Sequence, residues 1–307
     1  MSDVDGAWPL AGVELGGTKC ICTLGHGPGA ILAQEMVATT TPDETLSAIA
    51  AILGRWWQSR RFAALGIASF GPLDLDPASP VYGHILATTK PGWAMTDVAG
   101  RLAAPFAVSV GFDTDVNGAA LAECAWGAGR GLDDFAYVTV GTGVGVGLIV
   151  HGRPTRGLGH SEMGHLRVPR LVTDTAPSGC PFHPDCVEGL AAGVGIAAAL
   201  RGREIGTVAA DDPLWERVTH ALAMLCHALV CGTAPRRIAI GGGVIERQPH
   251  LLPRVAGALA ASLNAYIAIP PSDYLVNPAL GDRSGPLGAI ALARQSFELA
   301  GSLELPE

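Results

Sequence analysis

The 307 residues carry 49% hydrophobic and only 16% charged side chains, which excludes a disordered chain and allows a sizeable core split over two domains. A formal net charge of −8 offers no basic field for a phosphate backbone, so nucleic acid is excluded as a partner. The opening stretch MSDVDGAWPLAGVELGGTK has no basic n-region or long apolar run, and 7 cysteines are an odd count for a disulfide framework; the expected setting is the cytoplasm, away from membranes.

In chain order, Val13, Glu14 and Leu15 lead into a glycine turn and residues 21–24 resume an apolar strand, a β-hairpin pattern. Pro42, Asp43 and Glu44 start a helix over 45–57, and residues 64–69 read as a buried strand ending at Gly71-Pro72. The 73–92 stretch, full of Pro, Gly and Asp, is too long for a simple connector and resembles loops that carry function. A strand over 108–112 and a helix over 117–126 follow. Residues 135–140, then Gly141-Thr142-Gly143, then 144–150 repeat the strand–glycine–strand pattern of the N-terminus. The run GLAAGVGIAAAL at 189–200 is apolar and glycine-rich but too short to span a bilayer. A helix over 214–230, a strand over 237–240, a triple glycine opening a further helix, and a closing helix over 286–299 complete the chain. Two glycine-turn hairpins about 125 residues apart suggest a duplicated α/β plan.

Those turns carry phosphate chemistry. Gly16, Gly17, Thr18 and Lys19 place backbone N–H groups, a hydroxyl and an ammonium at a hairpin tip, and Gly141, Thr142 and Gly143 offer a second tip. Neither fits a Walker or Rossmann pattern, and a glycine hairpin alone is more often just a tight turn. Both together with Gly241, Gly242 and Gly243, where a flat adenine can approach the backbone closely, point to a nucleotide site. Between the tips lies FDTDVNGAA. Asp115 stands at its strand-to-helix junction, where an Asp is either a helix cap or a carboxylate aimed at a substrate. The neighbouring turns favour the catalytic reading, with Asp113 the structural member of the pair.

The segment GHSEMGHLRVPRLVTDTAPSGCPFHPDCVEGLAA is the densest in chemistry. Cys180, His183 and Cys186 offer two thiolates and an imidazole in one short loop. A fourth ligand, most simply His165, completes the Cys2His2 set that structural zinc prefers. A Cys180–Cys186 disulfide, or two ordinary buried cysteines, are the alternatives. Glu162 and Glu188 bracket this loop as polar groups suited to a hydroxyl-rich ligand.

The combination of GGTK, DVNGAA, GTGVGVG, EMGH with CPFHPDC and VEG, and GGGV resembles the ROK family of bacterial sugar kinases, within the actin-like ATPase superfamily. The 69–93 stretch SFGPLDLDPASPVYGHILATTKPGW and the EMGH-to-VEG segment resemble its zinc-containing fructokinase branch. The resemblance implies an α/β, two-lobed actin-like ATPase (ribonuclease H-like) fold with a nucleotide and sugar cleft between the lobes. It implies a smaller N-terminal lobe over 1–116, joined by the C-terminal helix at about 286–307, and a larger lobe over 117–285 that carries the zinc loop. It also implies transfer of the γ-phosphate of ATP to fructose, with Mg2+, a structural Zn2+ and a homodimer. Asp115 corresponds to the catalytic base; Asn117, Glu162, His165 and Glu188 to sugar-binding positions; and His165, Cys180, His183 and Cys186 to zinc ligands. Gly16, Thr18, Lys19, Thr142 and Gly242 correspond to nucleotide contacts. Thr89 before KPGW and Ser161 before EMGH depart from the branch, which usually has proline at both, and both touch the sugar side. Other hexoses, and a sugar-responsive regulator of the same family, are the competing readings. The regulator needs a DNA-binding segment for which the chain before the GGTK turn has no room. Loss of zinc by Cys180→Ser or Cys186→Ser is expected to weaken sugar binding but to spare nucleotide affinity, since the glycine turns lie elsewhere in the chain.

Overall fold

The computed structural model describes residues 8–268 and 273–303. The sequence readings that fall on 1–7 and 304–307 lie outside the described residues. The chain divides into two compact units, with crossings after residues 126, 154, 160 and 281.

In the first unit, β1 (Leu10–Leu15) and β2 (Lys19–Gly25) form the expected hairpin, antiparallel with Leu15 opposite Cys20. Then come β3 (Ile31–Ala38), α1 (Pro42–Ser59), β4 (Ala64–Ser69), the short β5 (His84–Ile85) and β6 (Thr96–Asp97), α2 (Ala99–Ala103), β7 (Ser109–Thr114) and α3 (Asp115–Trp126). The main sheet runs β3-β2-β1-β4-β7, with β1, β4 and β7 parallel. Helix α1 starts where the Thr41 hydroxyl accepts from the Glu44 N–H and Pro42 occupies the first turn. Its apolar positions Leu46, Ile49, Leu53 and Trp56, spaced three and four apart, are buried in the core of this unit. Strand β3 is a finding the sequence did not announce; it is a sheet edge with side chains largely in solvent.

The closing helix (Ser284–Leu303) lies on this sheet, not on the second one. Gly12, Gly66 and Gly111 stand in register across β1, β4 and β7 and cut a groove for its backbone. A Cβ at Gly12 would sit 2.9 Å from that of Ala289, and one at Gly66 or Gly111 would strike a carbonyl of the helix. Helix α3 meets the same helix where Gly118 faces Gly288. This packing moves the unit boundary: the sequence places it at 116/117, whereas α3 stays with the first unit through Trp126. Residues 155–160 also return to the first unit, which is therefore not the smaller of the two.

The second unit contains β8 (Phe135–Val140), β9 (Val144–Val150), β10 (Arg153–Pro154), α4 (Val187–Ala191), α5 (Gly193–Leu200), α6 (Pro213–Gly232), β11 (Ile238–Gly241), α7 (Gly243–Arg247), α8 (Leu251–Leu263) and β12 (Leu275–Val276). Its sheet order is β10-β9-β8-β11-β12, again starting from a glycine-tipped antiparallel hairpin with the later strands parallel. The apolar run 189–200 becomes two short helices that break at an extended Ala192. Helix α6 is opened by the Asp212 cap and Pro213 and buries Leu214, Val218, Leu222, Leu225 and Leu229 in the core. Among the described residues, no helix is long and apolar enough to cross a membrane.

Candidate active site

In the first unit the tip of the β1–β2 hairpin is held from below. The Gly16 N–H donates to the Lys19 carbonyl at 3.1 Å, the Thr39 hydroxyl donates to the Gly16 carbonyl at 2.8 Å, and the Thr39 N–H donates to the Thr18 carbonyl at 3.0 Å. Gly17, Thr18 and Lys19 are left exposed. Just before the tip, Glu14 interrupts an otherwise apolar strand and presses its carboxylate against Gly285 at the start of the closing helix. Burial first, then the Asp115 charge, raise its pKa to about 7, with Lys19 acting the other way. Glu14, Lys19 and Asp115 thus share one corner. Sequence reading missed Glu14, although a lone acid in a buried strand beside a glycine turn was a usable signal.

Asp115 is the first residue of α3. The cap is made by its neighbour: the Thr114 hydroxyl accepts from the Asn117 N–H at 3.1 Å. Asp115 itself accepts from the adjacent Val116 N–H at 2.9 Å and stays partly exposed. Asp113 is fully buried and structural, as read from the sequence. Its carboxylate accepts from the Thr114 N–H at 2.7 Å, the Asn117 side-chain amide at 2.8 Å and Arg156 at 2.9 Å. Asn117 is therefore 1% exposed with its amide committed to Asp113.

In the second unit the ligand atoms of His165, Cys180, His183 and Cys186 all lie within 4.8 Å of one another. The Cys180 Sγ is 3.7 Å from the His165 Nδ1 and 3.8 Å from the His183 Nδ1, and the Cys186 Sγ is 3.9 Å from the His165 Nδ1. Tetrahedral zinc with bonds of about 2.0–2.3 Å separates its ligands by about 3.3–3.8 Å, close to the three separations above, so two thiols and two imidazoles so grouped suit that ion after a small inward closure. The two cysteines are free thiols, not a disulfide. Burial holds the Cys186 thiol up at about 11, so it becomes a thiolate in this setting only against a cation. Since His165 turns Nδ1 toward the thiols, Nε2 faces the opposite side of its ring.

This cluster is tied directly to the second glycine turn. Cys186 caps α4 by accepting from the Gly189 N–H at 3.4 Å, and one residue into that helix Glu188 accepts from the Val144 N–H at 3.1 Å. A Cβ on Gly143 would lie 2.6 Å from the same carboxylate oxygen. Gly193 and Val194, at the start of α5, donate to the carbonyls of Gly141 and Thr142 at 2.8 and 3.4 Å. Gly242, at φ +89°, lies against Thr139 and Val140 because β11 runs parallel to β8. The structure therefore brings together Gly141, Thr142, Gly143, Glu188, Gly241, Gly242 and Gly243. Glu162 is exposed at the start of the one-turn helix Met163–His165. Gly193 and Val194 were missed in the sequence, where nothing separates them from the apolar run around them.

The chain matches the model of the ROK family over residues 10–296. The chain belongs to the ROK family. Among its relatives, a fructokinase of Zymomonas mobilis is 41% identical over 92% of this chain and 95% of its own length. A fructokinase of Pediococcus pentosaceus is 38% identical over 95% of this chain and 99% of its own. Among solved structures, the ROK hexokinase of Thermus thermophilus superposes with a TM-score of 0.79 at 26% identity, covering 94% of this chain and 99% of that one. The ROK chain thus has the α/β sugar-kinase fold of the actin-like ATPase class, built on two mixed sheets.

Proposed function

We propose that this ROK protein is an ATP-dependent fructokinase that transfers the γ-phosphate of ATP to the 6-hydroxyl of D-fructose. The reading is carried by the near full-length identity of 35–41% to several fructokinases, which exceeds the 25–28% to the kanosamine kinase and the glucokinases. The Cys2His2 cluster, which the resemblance to the zinc-containing fructokinase branch led one to expect, supports it. ATP and fructose are the substrates; a homodimer in the cytoplasm is the proposed state.

Asp115 is the proposed base. It takes the proton from the sugar hydroxyl as that oxygen attacks phosphorus and the bond to the β-phosphate oxygen breaks. The Thr114 cap supports this role by relieving Asp115 of the helix terminus. Asn117 acts through its backbone position and through the Asp113 network that holds the junction. The backbone N–H groups of the turns at 16–19, 141–143 and 241–243, with Lys19, take the nucleotide phosphates and adenine side. Glu14, a carboxylate that needs a counter-charge, would help hold a magnesium ion, which would supply neutralisation of the phosphate oxygens. Glu162, Glu188 and the Nε2 of His165 orient the sugar hydroxyls, Glu188 while it also braces the glycine turn. His165, Cys180, His183 and Cys186 would hold a zinc ion with four protein ligands, which would give it a structural role in fixing His165 and α4.

A coupled assay with ATP and fructose, mannose, glucose or N-acetylmannosamine tests the reading. Fructose should be turned over with the highest kcat/KM; a rate for fructose no higher than for the others reduces the assignment to a hexose kinase.

A further inference from the structure

Lys90 lies in the 73–92 loop, next to Thr89, and nothing above gives its side chain a role. Its ammonium donates to the Gly17 carbonyl at 2.6 Å, on the exposed tip of the first glycine hairpin. Lys90 and Gly17 are 73 positions apart in sequence, so this contact is made by the fold and not by local chain geometry. The loop is rigid where it matters. Trp93 is fully buried, its indole N–H donates to the Thr40 carbonyl at 2.9 Å, and its ring meets Phe70 at 5.2 Å. The Trp93 N–H in turn holds the Lys90 carbonyl at 3.2 Å, and the Thr88 hydroxyl accepts from the Lys90 N–H at 3.3 Å. Phe70 follows β4, is hydrogen-bonded to Leu15 at the end of β1, and presents its ring 5.9 Å from the Lys90 ammonium.

An ammonium has three donors, and the Gly17 carbonyl uses one. Among the described residues no carboxylate pairs with it. The charge acts in the corner already described, since the buried Cys20 thiol is influenced by Glu14 in one direction and by Lys90 in the other. A half-buried, unpaired cation fastened to the tip of a phosphate-binding turn is placed for an anion that arrives there.

We propose that Lys90 is a catalytic residue of the phosphoryl transfer, its ammonium binding oxygens of the γ-phosphoryl group as that group passes from ATP to the sugar. The inference rests on the kinase reading above. Lys90 stays protonated throughout: the new bond joins the sugar oxygen to phosphorus, the bond to the β-phosphate oxygen breaks, and the proton released goes to Asp115. Its contribution is charge neutralisation on the group in flight, retained on the phosphate of the product.

The test uses the full-length, metal-loaded protein with K90M, which keeps the length and apolar stem, and K90R, which keeps the charge. For K90M, kcat should fall roughly 10²–10³-fold, the range for removing one preorganised donor to a developing anion. Fructose affinity by calorimetry should stay within about twofold, while fructose 6-phosphate affinity falls about 10-fold or more, as for a lost charge-assisted hydrogen bond. K90R should recover part of both losses, and the melting temperature should hardly move. If Lys90 is only a clamp on the turn, K90M will lower the melting temperature and weaken sugar and sugar phosphate in equal proportion, which overturns the proposal. A K90M enzyme with kcat within about threefold of wild type, beside an active wild type, also overturns it and leaves the kinase reading standing. A wild-type protein that phosphorylates no hexose from ATP overturns both.

Discussion

Cys186→Ser separates two duties of one side chain. The sulfur stands in the Cys2His2 cluster and also caps α4 by accepting from the Gly189 N–H at 3.4 Å. Serine is a good helix cap but a poor zinc ligand, so C186S removes the metal contact and keeps the cap, whereas C186A removes both. Structural zinc contributes on the order of 10–16 kcal/mol of binding free energy, or about 3 kcal/mol for each of four ligands. At about 2–4 °C per kcal/mol for a unit of this size, C186S should melt about 6–12 °C lower. C186A should lose about 1 kcal/mol more, a further 2–4 °C, because the cap goes as well. The functional consequence departs from what chain position alone suggests. Glu188 sits in the capped helix and holds the Val144 N–H, while Gly193 and Val194 hold the carbonyls of Gly141 and Thr142. Loss of zinc should therefore raise KM for ATP along with KM for fructose. Metal analysis, scanning fluorimetry and two-substrate kinetics on the wild type and both variants provide the assay. About one zinc per wild-type chain is expected. A metal-free wild type of full activity, or a C186S protein with unchanged melting temperature, would refute the reasoning; a C186S protein impaired for fructose alone would refute the coupling through α4.

Three further outcomes are expected. Asp115→Asn should cut kcat roughly 10²–10⁴-fold with fructose affinity retained, measured by steady-state kinetics and calorimetry, since the Thr114 hydroxyl and not the Asp115 carboxylate caps the helix; near-normal turnover would make Asp115 a structural residue. Glu188→Ala should raise KM for both substrates, because one carboxylate is assigned to the sugar and also braces the glycine turn; an unchanged KM for ATP would remove the brace. Glu14 has a folded-state pKa raised from 4.5 to about 7, so its contribution to stability is present below pH 4.5 and is lost as pH rises through about 7. Without nucleotide, the wild type should thus lose unfolding free energy relative to Glu14→Gln across that window, by on the order of 3 kcal/mol in denaturant titrations; parallel pH profiles for the two proteins would place the carboxylate in a hydrated setting.

The sequence by itself determined the hairpins, the strand at 64–69, the glycine turns and the metal ligand set, and those are features that short stretches of chain dictate. A glycine tip has few alternatives, and a CxxHxxC loop carries three ligands within one turn of chain. What only the tertiary structure decided depends on contacts between distant segments. Gly12, Gly66 and Gly111 look like ordinary strand glycines until β1, β4 and β7 align in register and the closing helix settles onto them, which draws α3 into the first unit. Thr114, not Asp115, proved to be the cap because the helix starts two residues earlier than its apolar pattern implies. Glu188 and the start of α5 reached the second glycine turn because α4 breaks at Ala192, a fold-back that a uniformly apolar run cannot announce. Local conformational preference writes the elements into the sequence; which polar groups meet depends on how those elements pack, and no neighbour in the chain encodes it.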